Sequence, residues 1–376
     1  MERKQRIDIP IGWFVVAVAT AVSFLVSSAH PQRPVAASPT HGVAASQTNP
    51  ASPRRPITAS QTRSITASHV ESVGFTVSDM DRALDFYTRV LPFEKVSDVE
   101  TSGTEFEHLS GVFGARVRIV RLKLGDEVLE LTEYLTPRGR VIPVDSRSND
   151  RWFQHVAIIV SDMDKAYEHL RANKVRHAST GPQILPAYIT AAAGVRAFYF
   201  KDLDNHVLEI LSFPSDKGAA KWHELANSGK LFLGIDHTAI VVGDTETSLK
   251  FYRDRLGLAV AGESINFGTE QEHLNNVFGA RLHITGLKTR EAGIAVEFLE
   301  YLAPTNGRPY PPDSRSNDLW HWQTSFVAVD IAGLFHSYRP DLISNGSVLF
   351  DRPVLGFRTA SVIRDPDGHA VRLVTR

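Results

Sequence analysis

Three glutamates sit where a strand needs a reason to carry one. Glu130 lies between Leu129 and Leu131, Glu209 between Leu208 and Ile210, and Glu297 between Val296 and Phe298. Neighbours on a strand point to opposite faces, so each carboxylate faces away from its apolar flanks. Inside a barrel such a carboxylate is costly unless a cation compensates it. On the solvated face of an antiparallel sheet it needs no explanation. Two apolar runs, 155–160 and 237–242, open on imidazoles, His155 and His237. Imidazoles and carboxylates gathered at one point would hold a divalent cation. The fold must therefore decide whether they gather.

The elements that would position them are written twice. Glu107-His108-Leu109 and Val112-Phe113-Gly114-Ala115-Arg116 return 165 residues later as Glu272-His273-Leu274 and Val277-Phe278-Gly279-Ala280-Arg281. Asp145-Ser146-Arg147-Ser148-Asn149-Asp150 returns letter for letter at 313–318. Solenoid units run only about 20–50 residues, so this is a duplicated domain. A first repeat is expected over 68–214, a linker over 215–232 and a second repeat over 233–376.

Within each repeat a smaller unit recurs. Short apolar runs at 72–77, 155–160, 237–242 and 323–329 each lead to an aspartate, and Asp79, Asp162 and Asp244 can cap a following helix. Three strand-like stretches follow each helix, as at 94–101, 116–124 and 127–134. Hairpin turns fall at Gly125-Asp126, at 202–205 and at 365–368, with Asn205 and Gly368 where a left-handed residue is wanted. The fold class is α+β: four βαβββ modules in two tandem repeats. A lone unit of about 60 residues leaves a sheet face bare, so modules must pair into two curved-sheet half-barrels.

A formal net charge of −1 gives no field that favours nucleic acid, and the absence of cysteine removes disulfides, thiolate metal sites and a thiol nucleophile. Arg3, Lys4 and Arg6 precede an apolar run over 11–26 and then Ser27-Ser28-Ala29. Residues 1–29 are therefore expected to be a signal peptide or a retained membrane anchor, with the rest outside the cytoplasm. Residues 30–67, rich in Pro, Ala, Ser and Thr and without acidic residues, are expected to form a disordered tether.

Several segments carry a family resemblance: Asp236-His237-Thr238-Ala239-Ile240, Ser248-Leu249-Lys250-Phe251-Tyr252, Leu256-Gly257-Leu258 and Asp365-Pro366-Asp367-Gly368-His369. The chain over about 68–376 resembles the vicinal oxygen chelate superfamily, which includes glyoxalase I, extradiol dioxygenases and bleomycin-resistance proteins. The resemblance implies one ligand slot near the start of the first strand and one on the last strand of each module. Those slots hold Ser72 and Glu130, His155 and Glu209, His237 and Glu297, and Gln323 and Arg372. If modules pair in sequence, both sites are incomplete. If they exchange partners, two with three unites His155, Glu209, His237 and Glu297, while one with four unites Ser72, Glu130, Gln323 and Arg372. The second set would be vacant, with the guanidinium neutralising Glu130. The exchanged arrangement is the favoured expectation.

Two imidazoles and two carboxylates suit one divalent ion (Zn, Ni, Co, Mn or Fe(II)) with positions left for substrate. By the resemblance, Glu209 or Glu297 would be the catalytic base. The expected activity is that of a glyoxalase-like lyase or isomerase acting on a small substrate with adjacent oxygens, through an enediolate-type intermediate. Two other classes stay open: an extradiol Fe(II) dioxygenase, and a non-catalytic binding protein with Arg372 as an anion clamp. His108 and His273 are read as structural, and Arg116 and Arg281 as partners of Glu133 and Glu300. The repeated DSRSND segment reads as a loop, Trp222, His223 and Leu225 as packing for the linker, and His206 and His369 receive no role. A small-molecule substrate is expected, with membrane contact only through the N-terminal segment.

Overall fold

The computed structural model describes residues 66–329, 331, 341–351 and 355–376. The expected leader, nearly all of the expected tether and the helix expected in the fourth module lie outside these residues. No described helix is long and apolar enough to cross a membrane.

The first module comprises β1 (Ala67–Val77), α1 (Met80–Asp85) with a π-helical turn (Phe86–Val90), β2 (Glu94–Ser102), α2 (Thr104–Ser110), β3 (Arg116–Leu124) and β4 (Glu127–Thr136). The second has β5 (Gln154–Val160), α3 (Met163–Ala172), the short β6 (Arg176–His177) and β7 (Gln183–Ile184), then β8 (Arg196–Lys201) and β9 (Val207–Ser212). A linker helix α4 (Ala220–Ala226) precedes the third, which has β10 (Phe232–Val242), α5 (Thr245–Tyr252), β11 (Ala259–Phe267), α6 (Thr269–Asn275), β12 (Arg281–Lys288) and β13 (Ala295–Ala303). The fourth supplies β14 (Trp322–Ala328), β15 (Val348–Leu349), β16 (Thr359–Arg364) and β17 (Ala370–Thr375). The α2 and α6 helices carry the repeated Glu-His-Leu segments.

Helix starts are fixed as their sequence suggests. The carboxylates of Asp79, Asp162 and Asp244 accept from the backbone N–H groups of Arg82, Lys165 and Thr247. A second support had no local signal. Glu133 Oε2 accepts from Met80 N at 3.0 Å, and Glu300 Oε2 accepts from Thr245 Oγ1 at 2.6 Å. These glutamates were expected to pair with Arg116 and Arg281. Arg116 instead reaches Glu100, 2.7 Å away on the neighbouring strand.

Strand order settles the pairing of modules. One sheet runs β15-β16-β17-β14-β1-β4-β3-β2, joining modules four and one; the other runs β11-β12-β13-β10-β5-β9-β8-β6, joining three and two. Partners are exchanged between repeats. The seams β1–β14 and β10–β5 are antiparallel, while the strands beside them pair in parallel. Leu129, Leu131, Leu208, Ile210, Val296 and Phe298, the flanks of the three glutamates, share one large apolar core with Tyr87, Leu170 and Tyr252 from the helical segments. The carboxylates thus turn to the other face of each sheet, as strand alternation requires.

Two matching clamps tie the modules across the sheets. His206 sets Nδ1 at 2.8 Å from Asp202 Oδ2 and Nε2 at 2.7 Å from the Leu319 carbonyl, while Tyr87 Oη donates to Asp202. His369 does the same with Asp365, the Arg151 carbonyl and Tyr252. Each ring faces two acceptors, so both nitrogens donate and the ring is cationic. Burial alone would lower these imidazole pKa values; the aspartates outweigh it and raise them. The histidines given no role from sequence are inter-module ties. The repeated DSRSND loops are gripped reciprocally. Arg308 holds Asp145 and Asp150, Arg140 holds Asp313 and Asp318, and each guanidinium also stacks on the tryptophan behind its loop. Identical loops serve identical contacts across the pseudo-twofold.

Candidate metal centre

Four central strands of the β10–β5 sheet carry the candidate ligands. His155 on β5 stands opposite Ala239 of β10, which stands opposite Glu297 of β13. His237 stands opposite Ala157 of β5, which stands opposite Glu209 of β9. An alanine thus separates each imidazole from a carboxylate across the strands, leaving space above the sheet. His155 Nε2 is 3.1 Å from Glu209 Oε2, and His237 Nε2 is 3.6 Å from both Glu209 Oε2 and Glu297 Oε1. One ligand atom each from buried His155, Glu209 and His237 falls within 4.8 Å of the others. Atoms about 2.1 Å from one ion are separated by roughly 3–4 Å, so the trio matches a shared cation. Glu297 stands outside this trio, its side chain 25% exposed against 5% for Glu209.

The imidazoles support the same reading. Both ring nitrogens of His155 and Nε2 of His237 are buried without a hydrogen bond, the 3.1 Å approach to Glu209 being misaligned. A buried imidazole without a partner is costly. A divalent ion would supply the missing partner, and the donor set fits one.

A further layer orients His237. Its Nδ1 lies 3.0 Å from Asp236 Oδ2, and Trp222 Nε1 donates to Asp236 Oδ1 at 2.6 Å. A carboxylate on the far nitrogen fixes the tautomer and aims the other nitrogen at the metal position. Sequence reading gave Trp222 only a packing role and missed Asp236; its one signal was its place directly before His237. The linker helix is also tied down through Lys221, which donates to Glu127 Oε1 at 2.7 Å, while Glu127 Oε2 accepts from Ile235 N.

The local field is anionic. Burial pushes the Glu297 carboxyl up despite the nearby imidazoles. Burial would lower His237, but Glu297, Asp236 and Glu209 outweigh it and raise its pKa to about 10. Without a metal the cluster retains a proton, which is the behaviour of a site short of positive charge. Above it opens a cavity of about 670 Å³, floored by Glu209, His237 and Glu297 and walled by Tyr199, Leu211, Leu274 and Ile284. His108 and His273 are exposed and stay away from it.

The other sheet uses the same positions differently. Gly74 of β1 faces both Glu130 and Gln323, and Ser325 of β14 faces both Ser72 and Arg372. The Arg372 guanidinium donates to the two Glu130 oxygens at 2.6 and 3.1 Å and approaches Ser72 Oγ at 3.4 Å. Arg121 adds a bond to Glu71, which in turn accepts from Ser72 Oγ. The cavity here is about 30 Å³, the share of a single water. That corrects the anion-clamp expectation: both terminal nitrogens of Arg372 are taken by Glu130 and no room for a ligand remains.

A family model described as Glyoxalase/Bleomycin resistance protein/Dioxygenase superfamily matches residues 67–210 and 234–373. The chain is 34% identical over 155 residues to a 2-epi-5-epi-valiolone epimerase from Actinomyces sp, covering 39% of this chain and 80% of that protein. It also superposes on glyoxalase I from Zea mays with a TM-score of 0.52 at 16% identity, covering 82% of this chain and 92% of the other. At that identity the structural likeness speaks to fold alone. The family match takes in both repeats and most of the chain: the protein belongs to the Glyoxalase/Bleomycin resistance protein/Dioxygenase superfamily.

Proposed function

We propose that the protein is a divalent-metal-dependent isomerase or lyase that moves a proton at a carbon beside a carbonyl, in a small substrate with adjacent oxygens. The observation that carries this reading is the convergence of His155, Glu209 and His237, with Glu297 beside them on the cavity floor. These side chains would hold one ion of the Zn, Ni, Co, Mn or Fe(II) group. When bound, it would polarise a substrate carbonyl as a Lewis acid and acidify the neighbouring C–H.

The chain's own groups supply the rest. Glu297 is the better candidate base, because it opens on the cavity and burial raises its pKa toward the working range of a proton carrier. Glu209, pressed between both imidazoles, is the better ligand. Asp236 and Trp222 hold His237 in register. The apolar walls shield the proton in transit from bulk water. The epimerase relative agrees with proton transfer of this kind, and glyoxalase I with the scaffold. The placement outside the cytoplasm, by a cleaved signal or an anchor over 11–29, is part of this proposal and rests on the basic start and apolar run alone.

The test is solvent-deuterium incorporation beside the carbonyl of 2-hydroxyketone and 2-oxoaldehyde-adduct substrates, followed by NMR. Metal-loaded protein should incorporate deuterium, and Glu297→Gln should not. No incorporation with any of the five metals would sink the reading. One observation favours an extradiol dioxygenase as a second reading. The tight trio is itself two histidines and one carboxylate, the donor set of a non-heme Fe(II) oxygenase. Oxygen uptake with catechols after Fe(II) loading separates the two readings. If neither activity nor metal binding is found, the non-catalytic binding class gains.

A further inference from the structure

The seam between the sheets is not the same in its two copies. In the second repeat Arg364 closes β16, and its guanidinium donates to the Gly368 carbonyl at 2.8 Å and the Ser314 carbonyl at 2.6 Å. It also lies 5.9 Å from the centre of the Tyr310 ring. The first-repeat counterpart of Arg364 is Lys201, which directly precedes Asp202 as Arg364 precedes Asp365. The counterpart of Tyr310 is Ile142, which precedes its DSRSND loop by the same three positions. These smaller residues leave a cavity of about 150 Å³, walled by Ile142, Trp152, Trp320 and Trp322.

One charged donor lining this cavity is unused. Lys201 is half-buried and forms no ion pair among the described residues; burial first and Arg176 second lower its pKa, with no carboxylate opposing them. The other charged donors are engaged, Arg147 by the Asn306 carbonyl at 3.1 Å and by Asp150, and His206 by Asp202 and the Leu319 carbonyl. Among the described residues no aspartate or glutamate lines the cavity. An ammonium with no carboxylate beside it selects for an anion.

We propose that this seam cavity binds a small organic acid with one ring-sized apolar body. The carboxylate would sit on Lys201 Nζ, and the body against the tryptophans. A cavity of about 150 Å³ takes a benzene-sized body. Its polar end distinguishes it from a dry void. The site is separate from the metal centre, and the proposal does not rest on the enzymatic reading.

Benzoate is the probe, titrated against intrinsic tryptophan fluorescence with the intact protein. Saturable binding is expected, about tenfold or more tighter than that of benzyl alcohol or inorganic phosphate, which each lack one half of the pharmacophore. Lys201→Met should weaken benzoate about tenfold or more. Lys201→Arg keeps the charge but should abolish binding, because the longer head fills the cavity as Arg364 does in its copy. Unchanged melting and metal content in Lys201→Arg would show that the fold is intact. Undiminished affinity in Lys201→Arg, or no saturable response in the unaltered protein, overturns the proposal. So does benzoate binding that vanishes in His237→Ala while surviving in Lys201→Arg, since the ligand would then sit at the metal centre.

Discussion

The two sheet centres are built on the same four strand positions and neutralise buried charge in different ways. In one, two histidines and two glutamates leave three ring nitrogens without hydrogen bonds and a surplus of negative field. In the other, Gln323 stands where the first has His155, Ser72 where it has His237, and Arg372 where it has Glu209. Only Glu130, matching Glu297, keeps its type. The guanidinium places positive charge where the first centre lacks it, and its fork satisfies Glu130 through both oxygens. A buried carboxylate on this scaffold needs a cation; one sheet supplies it covalently and the other must recruit it.

The comparison breaks if the recruited cation is not needed. His155→Ala and His237→Ala should each abolish stoichiometric metal binding, by more than the roughly 10–100-fold that loss of an outer-shell partner costs. Metal analysis after dialysis is the check, and turnover should fall with it. Metal content unchanged in both variants would remove the shared site altogether.

The built-in cation predicts the opposite kind of lesion. Glu130→Ala strands a buried guanidinium and should destabilise the fold by about 3–5 kcal/mol without touching metal content. Replacing the pair together, with Glu130→Leu and Arg372→Met, should be nearly neutral or stabilising, by about 1–4 kcal/mol. Urea unfolding of the single and double variants measures both. A double variant as unstable as the single one would mean the ion pair holds the sheet together.

What could be read from sequence follows from the range of each interaction. Glu209 and Glu297 were legible because strand alternation is local, and their apolar flanks announced the face they occupy. The histidine slots were legible because the family resemblance implies a ligand early in each module, and each imidazole opens an apolar run seven residues before a capping aspartate. Arg372, between Val371 and Leu373, obeys the same grammar, which is why the vacant set could be named with the candidate one. The exchange of modules was only favoured, because seam pairing such as β10 with β5 has no local signature. Contacts outside the ligand slots were not legible. Nothing near Trp222 says that it holds Asp236, and nothing near Glu133 or Glu300 says that each steadies a helix start in its own module. The helices at 104–110 and 269–275 were missed because their repeated letters were weighed as single side chains and not for helical spacing.

Asp236 sharpens the comparison at an intermediate scale, since none of the four matching positions of the Arg372 centre is an imidazole. Asp236→Asn should lower metal affinity by about 10–100-fold, with the ligands still in place. Competition against a chelator of known affinity measures it. Trp222→Phe, which removes one donor from Asp236, should follow in the same direction with a smaller loss. A full-affinity Asp236→Asn protein would show that the His237 tautomer is set by something else.

The smallest expected effects belong to the clamps, where the two halves should behave alike. Tyr87→Phe and Tyr252→Phe each delete one hydrogen bond to a clamp aspartate and should cost about 1 kcal/mol apiece. The clamps also carry a pH signature. Burial opposes the charge on His206, yet Asp202 raises its pKa above the reference 6.5, so its contribution is full below that value and is lost as pH rises through the folded one. Burial likewise opposes charge on Asp202, but His206 holds its pKa below the reference 3.8, so its contribution is full above that value and fades as pH falls through the folded one. The His206 clamp is therefore strongest between the two reference values. His206→Asn and His369→Asn should each flatten the loss of stability that follows as pH rises above 6.5, as read from urea midpoints across that range. If one variant flattens it and the other does not, the pseudo-twofold that equates the clamps in geometry does not equate them in energy.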